Sequence, residues 1–522
     1  MKRNQENEGL TRRNFVTGGL VAAAVGAGAL AGCAPQGKSD PSDSAQEWDA
    51  EADVVVVGCG AGLAAVLAAA ESGAKVIGIE KNSTFGGNWA INQGVFYAAA
   101  TDAMKANGDI DPRTGADDTI EGAYADWIEA AAGRCDPTLA KIVLEEQRNF
   151  INQLFAEGYS FYTEIPGSPV PVARGHSVIG DDGKLLGGAV YTSYLEEKCR
   201  QAGAELVADT TALSLIADDG GNVIGVEARS SGKKTRYKAK AVVVATGSYA
   251  ANLRMRAQYN PETDGWGLIG GGWATGDGHR MLFDLDAAVT GHSTISPSNT
   301  VEQKTGGVYS HNMYSVFWTG PRSYLIADNT GKRNRDETVS YVQVDGKLLT
   351  VPSFHIFDQT QFDDEEFTLI TTWSKSALAS AVEDGTIAKA DTVEELAAKL
   401  YLDKDVLQQT IDEFNEAART GSDPFGRKAE TMRELAPPYY GSTGTNGVGG
   451  TALSMCIKID EDARVMDIHG KAIPGVYGGG NDMVFINYAS ENYIASGTGC
   501  SGGYAISTHA GRKAAEYALS RS

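Results

Sequence analysis

Histidine is scarce in this chain. There are 7 in 522 residues, and none falls in a His-Glu-x-x-His spacing. The 6 cysteines (Cys33, Cys59, Cys135, Cys199, Cys456 and Cys500) are scattered and form no Cys-x-x-Cys pair. A zinc-type site, an iron–sulfur cluster and a c-type haem attachment therefore lack their ligand patterns, and no metal is predicted. Positive charge is short as well: 45 Lys and Arg face 67 Asp and Glu, for a net charge of -22. That balance argues against nucleic acid and an anionic membrane surface as partners, and reads first as solubility. Long apolar runs are missing too. The weakly apolar stretch from Gly18 to Leu30 is too short and too alanine-rich for a membrane span.

Glycine, by contrast, is plentiful at 63 residues, which suits close approaches of backbone to a ligand. The length is more than one simple core needs and fits two domains. The most informative stretch runs from Ala52 to Gly87. Four valines, Val54 to Val57, predict a buried strand; Gly58-Cys59-Gly60-Ala61-Gly62 predicts a tight turn. An alanine-rich run to Ser72-Gly73 predicts a helix, and Lys75 to Ile79 a second buried strand, ending on Glu80 and Lys81. Strand, glycine turn, helix, strand and acidic residue in that order make a dinucleotide-binding unit. The glycines let the backbone approach a pyrophosphate, the helix start offers N–H groups and a positive dipole end, and Glu80 can accept ribose hydroxyls. The spacing departs from Gly-x-Gly-x-x-Gly, because its third position is Leu63 and Gly62 comes one residue early. A turn one residue shorter than usual is expected.

Residues 1–33 read as a targeting segment. Thr11-Arg12-Arg13-Asn14-Phe15-Val16 is a twin-arginine signal, and Leu30-Ala31-Gly32-Cys33 resembles a bacterial lipobox. Cleavage before Cys33 with lipidation is the expectation, and ordinary cleavage nearby without lipid is the alternative. Residues 34–50 read as a disordered tether.

Further on, apolar spacing around Ile128, Leu139, Val143, Phe150 and Leu154 predicts helix across 110–160. Gly187-Gly188 and Tyr191 precede a helix to Ala202. A strand at Glu205 to Val207 and a β-meander from Ala212 to Arg229 follow. The apolar strand Ala241 to Val244 runs into Ala245-Thr246-Gly247, where the chain returns beside a cofactor. Trp273-Ala274-Thr275-Gly276-Asp277-Gly278 opens a helix, His279 to Leu285. A helical stretch spans Val393 to Arg419, and Gly497 to Gly503 opens a closing helix.

Ala-Thr-Gly-Asp-Gly at this distance from the Ala-Thr-Gly strand resembles the fumarate reductase and 3-ketosteroid dehydrogenase family of flavoproteins, over nearly all of the chain from residue 52 onward. The resemblance implies an α/β fold: a Rossmann-like FAD-binding domain carrying an inserted α+β catalytic domain. The expected boundaries are 51–285 for the first part of the FAD-binding domain, 286–434 for the catalytic domain and 435–522 for the second part. FAD is expected to be noncovalent, because no histidine lies in the 86–94 loop. By the same resemblance the cofactor-binding residues are Gly58, Gly60, Ala61, Gly62, Glu80, Lys81, Gly86, Gly87, Asn88, Gly94, Ala245, Thr246, Gly247, Asp277, Gly480, Asn481, Ser496, Gly497 and Thr498.

The catalytic positions lean towards one branch of that family. Gly331-Lys332-Arg333 and Asp336-Glu337 resemble its Gly-x-Arg…Asn-Glu segment. Four residues past the Glu, fumarate reductases place a proton-delivering arginine, and ketosteroid dehydrogenases a tyrosine; this chain has Tyr341. Near the end, fumarate reductases place a carboxylate-clamping arginine, and ketosteroid dehydrogenases a Tyr with a Gly four residues on; this chain has Tyr493 and Gly497. A dicarboxylate needs fixed cations, so a site without those arginines suits a neutral carbonyl compound. The resemblance implies hydride exchange at flavin N5, proton transfer by Tyr341, and hydrogen bonds from the Tyr493 hydroxyl and the Gly497 N–H to the substrate carbonyl. The family's third, upstream tyrosine has Tyr97 and Tyr124 as candidates here.

The expectation is an exported, membrane-anchored FAD oxidoreductase acting on a CH–CH bond beside a carbonyl of a hydrophobic small molecule. No haem or FMN domain lies in the chain, so a separate, membrane-linked electron partner is expected. Two alternatives stand beside it: an enoate reductase of the fumarate or urocanate kind, and a binding protein that keeps FAD without turnover.

Overall fold

A computed structural model describes residues 47–522, apart from 165–169, 265, 293–296, 303–307, 311–319, 340–351, 366, 368, 370–372, 444, 450–454, 490–493 and 522. The largest sheet is built from eight strands: β1 (Ala50–Val57), β2 (Val76–Ile79), β3 (Glu205–Val207), β4 (Thr210–Ala217), β5 (Val223–Ser230), β6 (Lys233–Val244), β7 (Arg464–Met466) and β8 (Ala472–Gly478). Its order is β7-β8-β6-β1-β2-β3, with β5 pairing β6 and β4. The pairs β8/β6, β6/β1, β1/β2 and β2/β3 are parallel. A parallel strand between two others is covered on both faces, which is why Val54 to Val57 are all buried without alternation. Each such valine contributes roughly 1.5 kcal/mol or more by leaving water.

The register aligns Val57 with Val244 and with Ile79, and Val244 with Gly478. Four strands therefore end at one edge of the sheet. Their next residues are Gly58, Ala245, Glu80 and Gly479, so three stretches far apart in sequence meet the first glycine turn.

Small residues set the helix packing behind this edge. The helix Gly62–Glu71 is mostly alanine, and the closing helix Thr498–Ser520 lies against it. A Cβ on Gly511 would come within 2.2 Å of the Ala65 carbonyl oxygen, so only glycine allows this approach.

Between the two parts of this unit, strands Tyr324–Ala327, Phe354–Asp358, Tyr439–Thr443 and Ile387–Ala390 form a second, antiparallel sheet. Helices Val393–Leu400 and Lys404–Thr420 bury Leu396, Leu400, Leu407, Ile411 and Phe414 in a separate hydrophobic cluster with this sheet's Leu325 and Ile356.

Several sequence expectations need correction. The expected catalytic segment ended at 434, yet Tyr439–Thr443 pairs on both edges inside the second sheet, so the insertion runs further. The stretch read as one helix from Val393 to Arg419 is two: Tyr401 takes φ 57° and Asp403 caps a new start through the N–H groups of Asp405 and Val406. Residues 110–118 are not helical. Asp111 folds back to pair with Ala116 across a turn containing Pro112 and Gly115. The tether read as 34–50 ends earlier, since the Trp48 ring packs over Gly225 and the Asp49 carboxylate accepts from the Arg236 N–H at 2.7 Å. Residues 1–46, with Arg12, Arg13 and Cys33, lie outside the described residues.

Candidate active site

The turn after β1 is shaped by its glycines. Gly58 has φ 92°, and a Cβ there would lie 2.7 Å from the Ala245 carbonyl oxygen. The helix Gly62–Glu71 then starts with no side-chain cap. The N–H groups of Gly60 and Ala61 have no acceptor among the described residues. The same pattern recurs at this edge. Helices Asp277–Phe283, Asn481–Tyr488 and Thr498–Ser520 begin at Gly276, Gly480 and Gly497, again without side-chain caps. Six other helices are capped by Thr101, Thr119, Asp136, Ser374, Thr392 and Asp403, while Ala189–Gln201 also starts uncapped, at Gly188. Uncapped starts leave N–H groups and a positive dipole end for an anionic ligand.

Glu80 is buried, and its role is wider than the sequence suggests. One carboxylate oxygen accepts from the Cys59 N–H at 2.9 Å and the other from the Asn82 N–H at 3.0 Å. Glu80 thus ties the glycine turn to the end of β2, and each oxygen keeps capacity for a second donor such as a ribose hydroxyl. Burial, with Glu80 beside it, pushes the Cys59 thiol well up, so it stays neutral. Lys81 Nζ bridges to Thr275 Oγ1 and Asp277 Oδ2, both at 2.7 Å. Thr246 Oγ1 accepts from the Gly278 N–H at 3.0 Å. Gly247 has φ 74°, and Gly480 donates its N–H to Ser507 Oγ at 2.8 Å.

The Gly86–Gly87 turn lies over the first. Gly86 N–H donates to the Cys59 carbonyl at 2.8 Å, and a Cβ on Gly60 would be 3.3 Å from the Gly86 oxygen. Asn88 Oδ1 accepts from the Gly271 N–H at 2.9 Å. Gly94 has φ 87°, and a Cβ there would clash with the Leu186 oxygen. Asn481 Oδ1 accepts from the Tyr488 hydroxyl at 2.5 Å. Ser496 is buried, and Thr498 Oγ1 donates to the Ala495 carbonyl. The fold thus gathers Gly58 to Gly62, Glu80, Lys81, Gly86 to Asn88, Ala245 to Gly247, Asp277, Gly480 and Asn481 around one sheet edge. Close backbone, free N–H groups, a lysine and a carboxylate fit a dinucleotide such as FAD.

Of the catalytic residues, Tyr341 and Tyr493 lie outside the described residues. Gly497 heads the closing helix at φ 87°, and a Cβ there would be 2.9 Å from the Tyr97 N. Its N–H has no acceptor among the described residues. Tyr97 meets Gly497 through its backbone; its hydroxyl accepts from Arg174 Nη1 at 3.4 Å, within a buried network that includes Asp118 and Asp126.

Both flanks of the segment carrying Tyr341 are anchored. Glu337 accepts from the Ile326 N–H and from Arg333 and Arg427, the last at 2.9 Å. Arg335 Nη2 donates to Ser353 Oγ at 3.0 Å, joining the residues before and after that segment. Sequence reading missed Arg335 and Ser353, because nothing in their spacing links them.

A nucleotide cradle at the carboxyl edge of the parallel strands defines a dinucleotide-binding protein. The chain belongs to the FAD binding domain family, whose profile matches residues 53–497. It is an FAD-dependent oxidoreductase, and its relatives include an acrylate reductase and fumarate reductases. It is 29% identical to the acrylate reductase flavoprotein subunit of Shewanella woodyi, over 90% of this chain and 92% of that one. Among solved structures it resembles an open flavocytochrome c3 fumarate reductase, with TM-score 0.69 and 22% identity over 90% of this chain and 79% of that one. It also resembles the 3-ketosteroid Δ1-dehydrogenase of Sterolibacterium denitrificans, with TM-score 0.72 and 19% identity over 90% of this chain and all of that one. At these identities the structures establish the fold.

Proposed function

We propose that this flavoenzyme adds or removes hydrogen across a carbon–carbon bond conjugated to a carbonyl, on an uncharged hydrophobic substrate of the ketosteroid type. The observation that carries the reading is the N–H of Gly497, which has no acceptor among the described residues, at the head of a buried, uncapped helix of 23 residues. A donor so placed can stabilise negative charge on a substrate oxygen, as an oxyanion hole does. Bound FAD supplies the hydride-exchanging centre. In this reading the Tyr493 hydroxyl and the Gly497 N–H donate to the carbonyl oxygen. Tyr341 exchanges the proton at the neighbouring carbon, and an unperturbed phenol with pKa about 10 is a usable donor near neutral pH. Tyrosines where the dicarboxylate reductases use arginines support the uncharged substrate.

The test is anaerobic. The protein freed of residues 1–33 is photoreduced, and acceptors are added singly while the flavin spectrum is followed. Reoxidation by a 3-keto-enone steroid but not by fumarate or acrylate supports the reading, with Tyr341→Phe then expected to slow it at least about a hundredfold. Reoxidation by acrylate or fumarate alone would overturn it.

That outcome is the second reading, an enoate reductase, and the likeness to an acrylate reductase favours it. Nothing favours flavin binding without turnover. The twin-arginine and lipobox sequences support an exported protein anchored through Cys33, facing outside the cytoplasm and exchanging electrons with a separate membrane-linked protein. Cys33→Ser should move it from the membrane fraction to the soluble one; unchanged membrane association would count against the anchor.

A further inference from the structure

The indole of Trp273 carries a buried N–H with no partner among the described residues. Trp273 Nε1 has essentially no exposed surface, and no described residue offers it a hydrogen-bond acceptor. An indole N–H buried in this way normally finds an acceptor, because a buried donor left unpaired has lost its water and gained nothing in return.

Its place in the fold says where the acceptor comes from. A Cβ built on Gly87 would lie 3.9 Å from Trp273 Nε1 and 3.6 Å from the Gly60 Cα. One small space is thus bounded by the glycine turn after β1, by the Gly86–Gly87 turn and by the indole N–H. The N–H groups of Gly60 and Ala61, also without acceptors among the described residues, belong to the same turn.

The neighbouring loop is built to hold the ring there. In Gly270-Gly271-Gly272-Trp273 the indole folds back over its own loop, and a Cβ on Gly271 would come within 1.9 Å of the ring. The Gly271 N–H is held by Asn88 Oδ1 at 2.9 Å. On the far side, Thr275 Oγ1 and Asp277 Oδ2 are held by Lys81. Residues 271–277 are therefore fastened at both ends to elements of the nucleotide cradle, with the indole between them.

We propose that Trp273 is a cofactor-binding residue whose indole N–H donates to an oxygen of bound FAD beside the Gly60 and Gly87 turns, and that Gly271 is present to make room for the ring. The inference is independent of the substrate, since it needs only that the chain binds FAD.

The experiment reads cofactor affinity rather than turnover. Apoprotein is prepared from wild type, Trp273→Phe and Gly271→Ala, and the FAD dissociation constant is measured by quenching of flavin fluorescence. Thermal melting of each apoprotein reports folding. Trp273→Phe keeps an aromatic ring and loses the N–H, and is expected to bind FAD about tenfold more weakly or worse. Gly271→Ala keeps the N–H but displaces the ring, and is expected to lose affinity to a similar degree. A folded Trp273→Phe that binds FAD as wild type does would overturn the proposal. Should that variant not fold, an unchanged FAD affinity in Gly271→Ala would overturn it instead.

Discussion

Lys81 Nζ lies 2.7 Å from Asp277 Oδ2, joining the end of β2 to the start of a helix 196 residues later. The pair holds together the two sides of the nucleotide cradle, and Thr275 completes it.

Breaking that pair should affect cofactor more than fold. Both side chains are partly exposed, so the bridge itself adds little to stability, about 1 kcal/mol or less. Asp277→Asn is therefore expected to melt within a few degrees of wild type as apoprotein, while FAD binds about tenfold more weakly because Lys81 loses its anchor. Parallel measurements of apoprotein melting and FAD affinity check this; a large loss of melting temperature with unchanged affinity would contradict it.

Glu337 presents the opposite case. It is buried between Arg333 and Arg427, with side chains 5% and 2% exposed. Removing its charge leaves two guanidinium groups short of a partner, although Asp423 still serves Arg333. Glu337→Gln should cost about 3–5 kcal/mol. Urea denaturation would show it as a lower midpoint, and a shift under 1 kcal/mol would mean the arginines find other acceptors.

Acid should destabilise the fold well before the carboxylates titrate. Burial holds His176 and His279 at about 4, below their ordinary 6.5. His176 Nδ1 faces the Arg174 carbonyl and Nε2 faces the Thr101 hydroxyl, an arrangement that suits a neutral ring. The unfolded chain takes up protons below pH 6.5 while the folded one does not. The stability is thus complete above 6.5, is lost as pH falls towards 4, and levels off beneath that. Between pH 7 and 5 each ring accounts for about 2 kcal/mol. Denaturation midpoints across that range test the slope, and a flat profile would refute it.

Much of the cradle was legible from the chain alone. Val54 to Val57, the glycines after them and Glu80 form a local unit whose hydrophobic run, turn and spacing act within 30 residues, and the structure places them as read. Ala245-Thr246-Gly247 and Gly276-Asp277-Gly278 were legible as motifs for the same reason. The break at Tyr401 was not, since helical periodicity runs straight through it and only the Asp403 cap interrupts it. Nor was the course of Tyr439–Thr443, in which Tyr439 pairs with Asp358, 81 residues earlier, on one side and with Ala390, 49 residues earlier, on the other.

The sequence by itself determined that this protein folds around a dinucleotide, because backbone conformation and local hydrophobic pattern are fixed by near neighbours. Only the tertiary structure decided that Glu80 ties down Cys59, that Lys81 meets Asp277, and that the Trp273 indole faces the Gly60 and Gly87 turns. Those pairings depend on strand register and on how closely backbones approach, and neither is written in any single stretch of the chain.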